Sequence, residues 1–235
     1  MTPLKTAFKS IFEAFGLKLS RIDPLAARIP PQYESSPFLP RVYKDSVKRL
    51  FYFRDMLQMV RSVEGSIVEC GVSIGHGLLY FSLLSELLET PRHIFGFDSF
   101  DGFPEPTAED KSGRGVKRGE LASPISMVSK VLQDGRVSAS YMDSNVHLVR
   151  GFFDKTLPGF EGTIALLHLD CDLYNSYKVC LEHLYGKVAK GGLILFDEYL
   201  HPDWVGATKA VDEFFASRPE KPRRHECGKY YLVKA

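Results

Sequence analysis

Ser66-Ile67-Val68-Glu69-Cys70-Gly71-Val72-Ser73-Ile74-Gly75-His76-Gly77 decides the fold class of this chain. Its first half is a short apolar run that stops at a glycine, the pattern of a buried strand entering a turn. Leu78 to Leu88 then reads as a helix, and His93-Ile94-Phe95-Gly96-Phe97-Asp98 as a second strand. Strand, helix, strand in that order is a parallel crossover unit.

The alternation continues downstream. Ser123-Pro124 predicts a helix start, with Ser as cap and Pro in the first turn, and the helix runs to Gln133. Val146–Val149 is a short strand. Thr163–Asp170 is almost continuously apolar, as a central parallel strand covered on both faces must be. A helix is expected from Ser176 to Ala189, closed by Lys190-Gly191-Gly192. Leu193–Asp197 is another buried strand, Ala207–Ala216 a helix, and Arg223–Glu226 with Tyr230–Val233 a hairpin through Gly228. These units predict a doubly wound α/β fold with a mainly parallel sheet.

Upstream, Asp45–Arg61 reads as a helix whose apolar face includes Leu50, Met56, Leu57 and Val60. Residues 1–18 place Leu4, Phe8, Ile11, Phe12 and Phe15 on one helical face, and residues 23–40 are proline-rich. The expected division is residues 1–44, an amphipathic helix and Pro-rich arm acting as lid or oligomer contact, and residues 45–235, the main domain. The apolar face of the first helix predicts a homodimer. Its lysines leave weak association with a membrane surface as the alternative.

Thirty Lys and Arg against 29 Asp and Glu give a net charge of +1, which argues against a nucleic-acid binder. Charges interrupt every apolar run well before about 18 residues, so no transmembrane helix is expected. The N-terminus lacks a signal-peptide core. The four cysteines form no CxxC pair; Cys70 and Cys171 read as reduced core thiols of a cytoplasmic protein.

In open α/β sheets ligands bind beyond the carboxyl ends of the strands. Four expected strands end there in acids or glycines: Glu69-Cys70-Gly71, Asp98, Asp170 and Asp197-Glu198. Gly71, Gly75 and Gly77 let backbone approach a ligand, but in the order GxxxGxG rather than the dinucleotide GxGxxG. A nicotinamide oxidoreductase therefore loses support. With Asp98 available for ribose hydroxyls, the turn suggests an adenosine-containing ligand. Asp170, Asp197 and Glu198, on neighbouring strand ends, would repel one another without a cation. Oxygen ligands favour magnesium, with calcium or manganese as alternatives. The competing reading pairs these acids with Lys or Arg. Asp172 points the same way as Asp170 in an extended chain. His168 reads as a core histidine. Tyr174 and His201 are candidate substrate contacts; packing and an exposed loop are the plainer readings of the two. Arg114, Lys117 and Arg118 lie in the polar stretch 101–119, either solvated or part of a lid over an anionic substrate.

Val68-Glu69-Cys70-Gly71-Val72, Gly96-Phe97-Asp98-Ser99-Phe100-Asp101-Gly102-Phe103-Pro104, His168-Leu169-Asp170-Cys171-Asp172-Leu173-Tyr174 and Phe196-Asp197-Glu198-Tyr199 occur in this order, followed by Gly206-Ala207 and Ala210-Val211-Asp212-Glu213-Phe214. Over about residues 45–235 the chain resembles the macrocin O-methyltransferase family. These are class I enzymes that use S-adenosylmethionine (SAM) and magnesium to methylate sugar hydroxyls of natural products. The resemblance implies a Rossmann-like, seven-stranded sheet ending in an antiparallel hairpin. It implies Asp170, Asp197 and Glu198 as metal ligands, with Asp170 also the general base. Glu69, Gly71 and Gly75 would line the methionine side of SAM and Asp98 would hold its ribose; Ser73 and Ser99 complete the expected cofactor set. The family often has two aspartates where this chain has Asp197-Glu198. A catechol-like or other vicinal-diol acceptor is the nearest alternative function. A non-catalytic binding or assembly protein keeping the fold is the more distant one.

Overall fold

The computed structural model describes residues 43–235. The expected amphipathic helix, Pro-rich arm and dimer contact of residues 1–42 lie outside the described residues.

One seven-stranded sheet runs in the order β3-β2-β1-β4-β5-β7-β6. Its strands are β1 Ser66–Cys70, β2 Ile94–Asp98, β3 Val146–Arg150, β4 Ile164–Leu169, β5 Val188–Phe196, β6 Arg223–Arg224 and β7 Tyr230–Val233. The first five are parallel; β7 pairs antiparallel with both β5 and β6. The mainly parallel sheet with a terminal antiparallel hairpin is therefore as expected.

Side chains alternate across the sheet because the strand period is two. Val68, Cys70, Phe97, Leu167, Leu169, Ile194 and Phe196 face helices α6 Tyr174–Leu184 and α7 Val205–Phe215. Ile67, Ile94, Leu166, Leu193 and Leu195 face α1 Lys44–Met59, α2 His76–Leu87, α3 Ser126–Asp134 and α4 Ala139–Asn145. A short α5, Phe153–Thr156, follows β3. Every residue of β4 is buried, which is why it reads as one apolar run.

Two boundaries differ from expectation. The helix after β4 stops at Leu184 and passes through a 3-10 turn at Tyr185–Lys187 into β5, which begins at Val188. Gly191 and Gly192 are thus strand residues rather than a helix cap. Gly191, at φ +77°, donates its N–H to the Lys234 carbonyl, and the β4–β5 register shifts here. A glycine bulge in a strand and a helix-ending glycine look alike in sequence. Ser123 also does not cap its helix; α3 starts at Ser126, preceded by turns from Pro124 and Ile125.

Strand order reverses between β1 and β4, so their carboxyl ends open a crevice at a topological switch point. Gly71 and Asp170 meet there. Asp170 donates its N–H to the Cys70 carbonyl, and a Cβ built on Gly71, at φ +95°, would overlap the Asp170 carbonyl oxygen. Only glycine fits that crossing.

Candidate active site

A cavity of about 750 Å³ occupies this switch point. Glu69, Gly71, Ser73, Asp98, Ser99, Asp170 and Asp172 line it, so most of the expected cofactor set converges there. Gly77 lines it too, whereas Gly75, at φ +95°, sits against Val128 of α3 and shapes the turn.

Backbone builds the cofactor side. Asp98 Oδ2 accepts the N–H groups of Val72 and Ser73, each at 2.8 Å, and Oδ1 accepts that of Phe100 at 2.7 Å. Three of about four acceptor sites of the carboxylate are therefore used within the protein. Asp98 locks the β1–α2 turn onto the end of β2, and one further hydroxyl, not two, can still reach it. The Ser99 hydroxyl is likewise turned inward, donating to the Gly102 carbonyl at 2.8 Å. Glu69 is buried; its Oε1 meets His168 Nδ1 at 2.9 Å, while Oε2 has no described hydrogen-bond partner. A buried acceptor without a donor is costly, and beside a glycine turn it suits a ligand ammonium.

Side chains build the other side, where Asp170 and Asp172 line the cavity and Asp197 and Glu198 lie beside Asp170 without lining it. Carboxylate oxygens of Asp170, Asp197 and Glu198 come within 4.8 Å of one another. Cations from distant segments reach them. Arg49 of α1 places NH2 3.0 Å and 3.1 Å from the two Asp197 oxygens and NH1 3.5 Å from Asp170 Oδ2. Lys229, beyond β6, donates to Asp197 Oδ2 at 2.7 Å. The reading that pairs these acids with basic residues thus holds for Asp197. Burial opposes ionisation of Asp197, but His168, Arg49 and Lys229 outweigh it and hold its carboxyl well below the usual range. Glu198 accepts the Tyr177 hydroxyl at 2.6 Å, and burial with Asp170 and Asp197 nearby pushes it well above the usual range. Burial and Asp197 raise Asp170 as well. Asp172, at φ +62°, is pushed up to about 8 by burial and by Asp170 and Asp197. Among the described residues no ion pair or hydrogen bond engages its carboxylate.

His168 is a core histidine, as expected, but not a bland one. Its ring stands edge-on to Phe53 and Phe81 at 5.1 and 5.7 Å. Burial disfavours its charged form, yet Asp197 and Glu69 push it up to about 9. Five carboxyls, Glu69, Asp170, Asp172, Asp197 and Glu198, thus face three basic groups, Arg49, Lys229 and His168, and burial with mutual repulsion favours protonation of Asp170, Asp172 and Glu198 unless a cation joins them. The donor set, hard oxygens with unbalanced charge, fits a divalent cation.

Residues 102–104 and 120–121, at the two ends of the polar stretch, form a wall of the cavity. Phe103, Pro104, Glu120 and Leu121 line it. Asp110 ties this wall to α6 by accepting the Tyr174 N–H at 2.7 Å, and the Ser112 hydroxyl donates to the Asp203 carbonyl at 2.8 Å. Arg114 pairs with Glu120 at 2.5 Å and lies 4.4 Å over Trp204. Tyr174 and His201 do not line the cavity: the Tyr174 hydroxyl donates to Glu213 at 2.7 Å, and His201 Nδ1 accepts the Asp203 N–H at 3.2 Å.

Residues 46–221 match the family model of macrocin O-methyltransferase. The chain belongs to the macrocin O-methyltransferase family. A curated relative, the 8-demethyl-8-(2,3-dimethoxy-alpha-L-rhamnosyl)-tetracenomycin-C 4'-O-methyltransferase of Streptomyces olivaceus, is 32% identical over 58% of this chain and 54% of its own length. The demethyldecarbamoylnovobiocin O-methyltransferase of Streptomyces niveus is 30% identical over 72% of this chain and 66% of its own. The match thus spans just over half to about two thirds of these relatives. Among solved structures, CalS11, a calicheamicin methyltransferase, superposes with a TM-score of 0.73 at 25% identity, covering 99% of this chain and 93% of that one. The O-methyltransferase NovP gives 0.68 at 26% identity, covering 80% of each chain. In this chain, Arg49, Lys229, Asp110 and the contact of His168 with Glu69, itself an expected cofactor residue, are site features that the sequence did not mark. Arg49 and Asp197 stand 148 positions apart, and no local pattern marks such a pair. The alternation of Glu69 and His168 with apolar neighbours was the one available hint.

Proposed function

We propose that this protein is a SAM-dependent O-methyltransferase acting on a hydroxyl of a sugar-containing small molecule, assisted by a divalent cation. The carrying observation is one cavity in which a glycine turn with an unpaired buried carboxylate oxygen, Glu69 Oε2, opens directly onto Asp170 and Asp172. The rhamnosyl group in the name of the Streptomyces olivaceus relative supports a glycosidic acceptor.

SAM supplies a methyl group already activated on a sulfonium, and a divalent cation lowers the pKa of a bound hydroxyl. Glu69 Oε2 and main-chain carbonyls of the Gly71–Ser73 turn would accept the cofactor's ammonium, since the N–H groups of this turn already donate to Phe97 and Asp98; Asp98 would accept one ribose hydroxyl. Asp170, Asp197 and Glu198 are the residues that would hold the cation. Asp172 takes the acceptor proton. This assignment replaces Asp170 as base, because Arg49 stands against Asp170 while the Asp172 carboxylate faces the cavity unpaired. Phe103, Pro104 and Leu121 give the cavity an apolar wall.

Calorimetric titration with S-adenosylhomocysteine tests the cofactor half: one micromolar site per chain is expected, and no binding by folded protein overturns the reading. Acceptor screening with and without a chelator tests the cation. Transfer at full rate in the chelator removes the metal from the mechanism. Transfer to catechols but not to glycosides favours the vicinal-diol alternative.

A further inference from the structure

Away from the cavity, the turn between β6 and β7 gathers a thiol, an imidazole and a carboxylate. His225 and Cys227 lie in this turn, and Asp55 reaches it from α1. Cys227 Sγ is 3.1 Å from His225 Nδ1, and the Cys227 backbone N–H donates to the same nitrogen at 3.2 Å. A nitrogen that accepts an N–H carries a lone pair, so the proton of the neutral ring sits on Nε2. Nε2 lies 3.3 Å from Asp55 Oδ2. Arg54 in turn donates to Asp55 Oδ1 at 2.9 and 2.6 Å, orienting that carboxylate. The Tyr52 ring packs 5.1 Å from the imidazole. A thiol facing a lone pair, on a base anchored by a carboxylate, is the arrangement of an activated nucleophile.

The other cysteines supply the contrast. Cys70, Cys171 and Cys180 are buried, whereas Cys227 is partly exposed. Thiol reactivity needs both thiolate and access.

We propose that Cys227 is a covalent modification site for low-molecular-weight disulfides, with His225 as its base and Asp55 as a positioning residue. His225 Nδ1 takes the thiol proton as the Cys227 backbone N–H gives up its bond to that nitrogen, and Cys227 sulfur attacks one sulfur of the disulfide. The old S–S bond breaks as the new one forms, and the departing thiolate takes the proton from His225. Cys227 ends as a mixed disulfide and the reagent as one free thiol.

The same turn also serves the active site. His225 donates its backbone N–H to the Lys229 carbonyl at 2.8 Å, and Lys229 Nζ meets the Asp197 carbonyl at 2.9 Å and its carboxylate at 2.7 Å. An adduct on Cys227 therefore shifts Lys229 from Asp197 and slows methyl transfer. This consequence alone rests on the proposed function.

The test is reaction of the full chain with 5,5′-dithiobis(2-nitrobenzoate), with peptide mass spectrometry to place the adduct. One fast equivalent on Cys227 is expected, absent in Cys227→Ser and slowed about tenfold or more in His225→Gln. Asp55→Asn should slow it less, and Asp55→Glu should restore part of that loss. In wild type, Cys227 should react faster folded than in urea, a comparison that needs no variant. A folded His225→Gln reacting at the wild-type rate, a slower rate folded than unfolded, or modification of another cysteine first would each overturn the proposal. Loss of methyl transfer on modification, reversed by dithiothreitol and absent in Cys227→Ser, supports the coupling to Lys229. Full activity with the adduct formed overturns that coupling. Protein inactive before modification points instead to failure of the proposed function, since the thiol kinetics are read without it.

Discussion

The two halves of the candidate site are made of different material. Around Gly71, Ser73 and Asp98, main-chain groups and one carboxylate satisfy each other over short distances. Around Asp170, Asp172, Asp197 and Glu198, side chains from separate strand ends are balanced in part by Arg49 and Lys229 from remote segments. The first half is a fixed geometry. The second is a crowd of carboxyls with fewer cations, which protonation or a bound cation relieves. Breaking the first should damage fold and cofactor binding together; altering the second should damage chemistry alone.

Gly71→Ala should have the largest effect. The new Cβ overlaps the Asp170 carbonyl in a left-handed conformation, so a loss of about 3–5 kcal/mol is expected. Urea denaturation measures it. A variant within about 0.5 kcal/mol of wild type would show that the crossing is not fixed.

Asp98→Ala comes next. It strands the N–H groups of Val72, Ser73 and Phe100, at about 1–3 kcal/mol for a lost buried partner. Stability and S-adenosylhomocysteine affinity should fall together. Weaker binding at unchanged stability would mean that Asp98 serves the ligand and not the turn.

Asp172→Asn should separate the halves most cleanly. Methyl transfer is expected to fall by about 10²–10⁴-fold, the range for a lost general base. Melting temperature and S-adenosylhomocysteine affinity should stay within a few-fold or a few degrees of wild type, because no described partner is lost. If Asp170→Asn removes transfer and Asp172→Asn does not, the base is Asp170.

Tyr174→Phe and His201→Ala should do least. Both side chains point away from the cavity, so catalytic rates should change less than about threefold and stability by no more than about 1 kcal/mol. A large rise in acceptor KM with either variant would place the acceptor outside the cavity.

Much of the first half was legible in the residues themselves. Apolar runs ending in Gly71 and Asp98 predict a strand-turn-helix-strand unit because hydrogen bonding and side-chain alternation are local. The acids of the second half were legible one by one at their strand ends. Their partners were not. Gly191-Gly192 shows the limit within a single element: the dipeptide serves a strand bulge or a helix end equally well, and pairing with β4 and Lys234 decided for the bulge. Asp110 shows it between elements, since a polar residue in a long loop gives no sign that it will accept the first N–H of α6.

The sequence by itself determined the sheet class, the buried strands, the glycine turn and the acids at the strand ends. Each follows from the chemistry of neighbours a few positions apart. Tertiary structure alone decided that Asp98 is already occupied by backbone, that Arg49 and Lys229 settle on Asp197, and that Asp172 faces the cavity unpaired. Electrostatic balance depends on distance in space. A separation of 148 residues becomes 3.0 Å only when α1 packs beside the ends of β4 and β5.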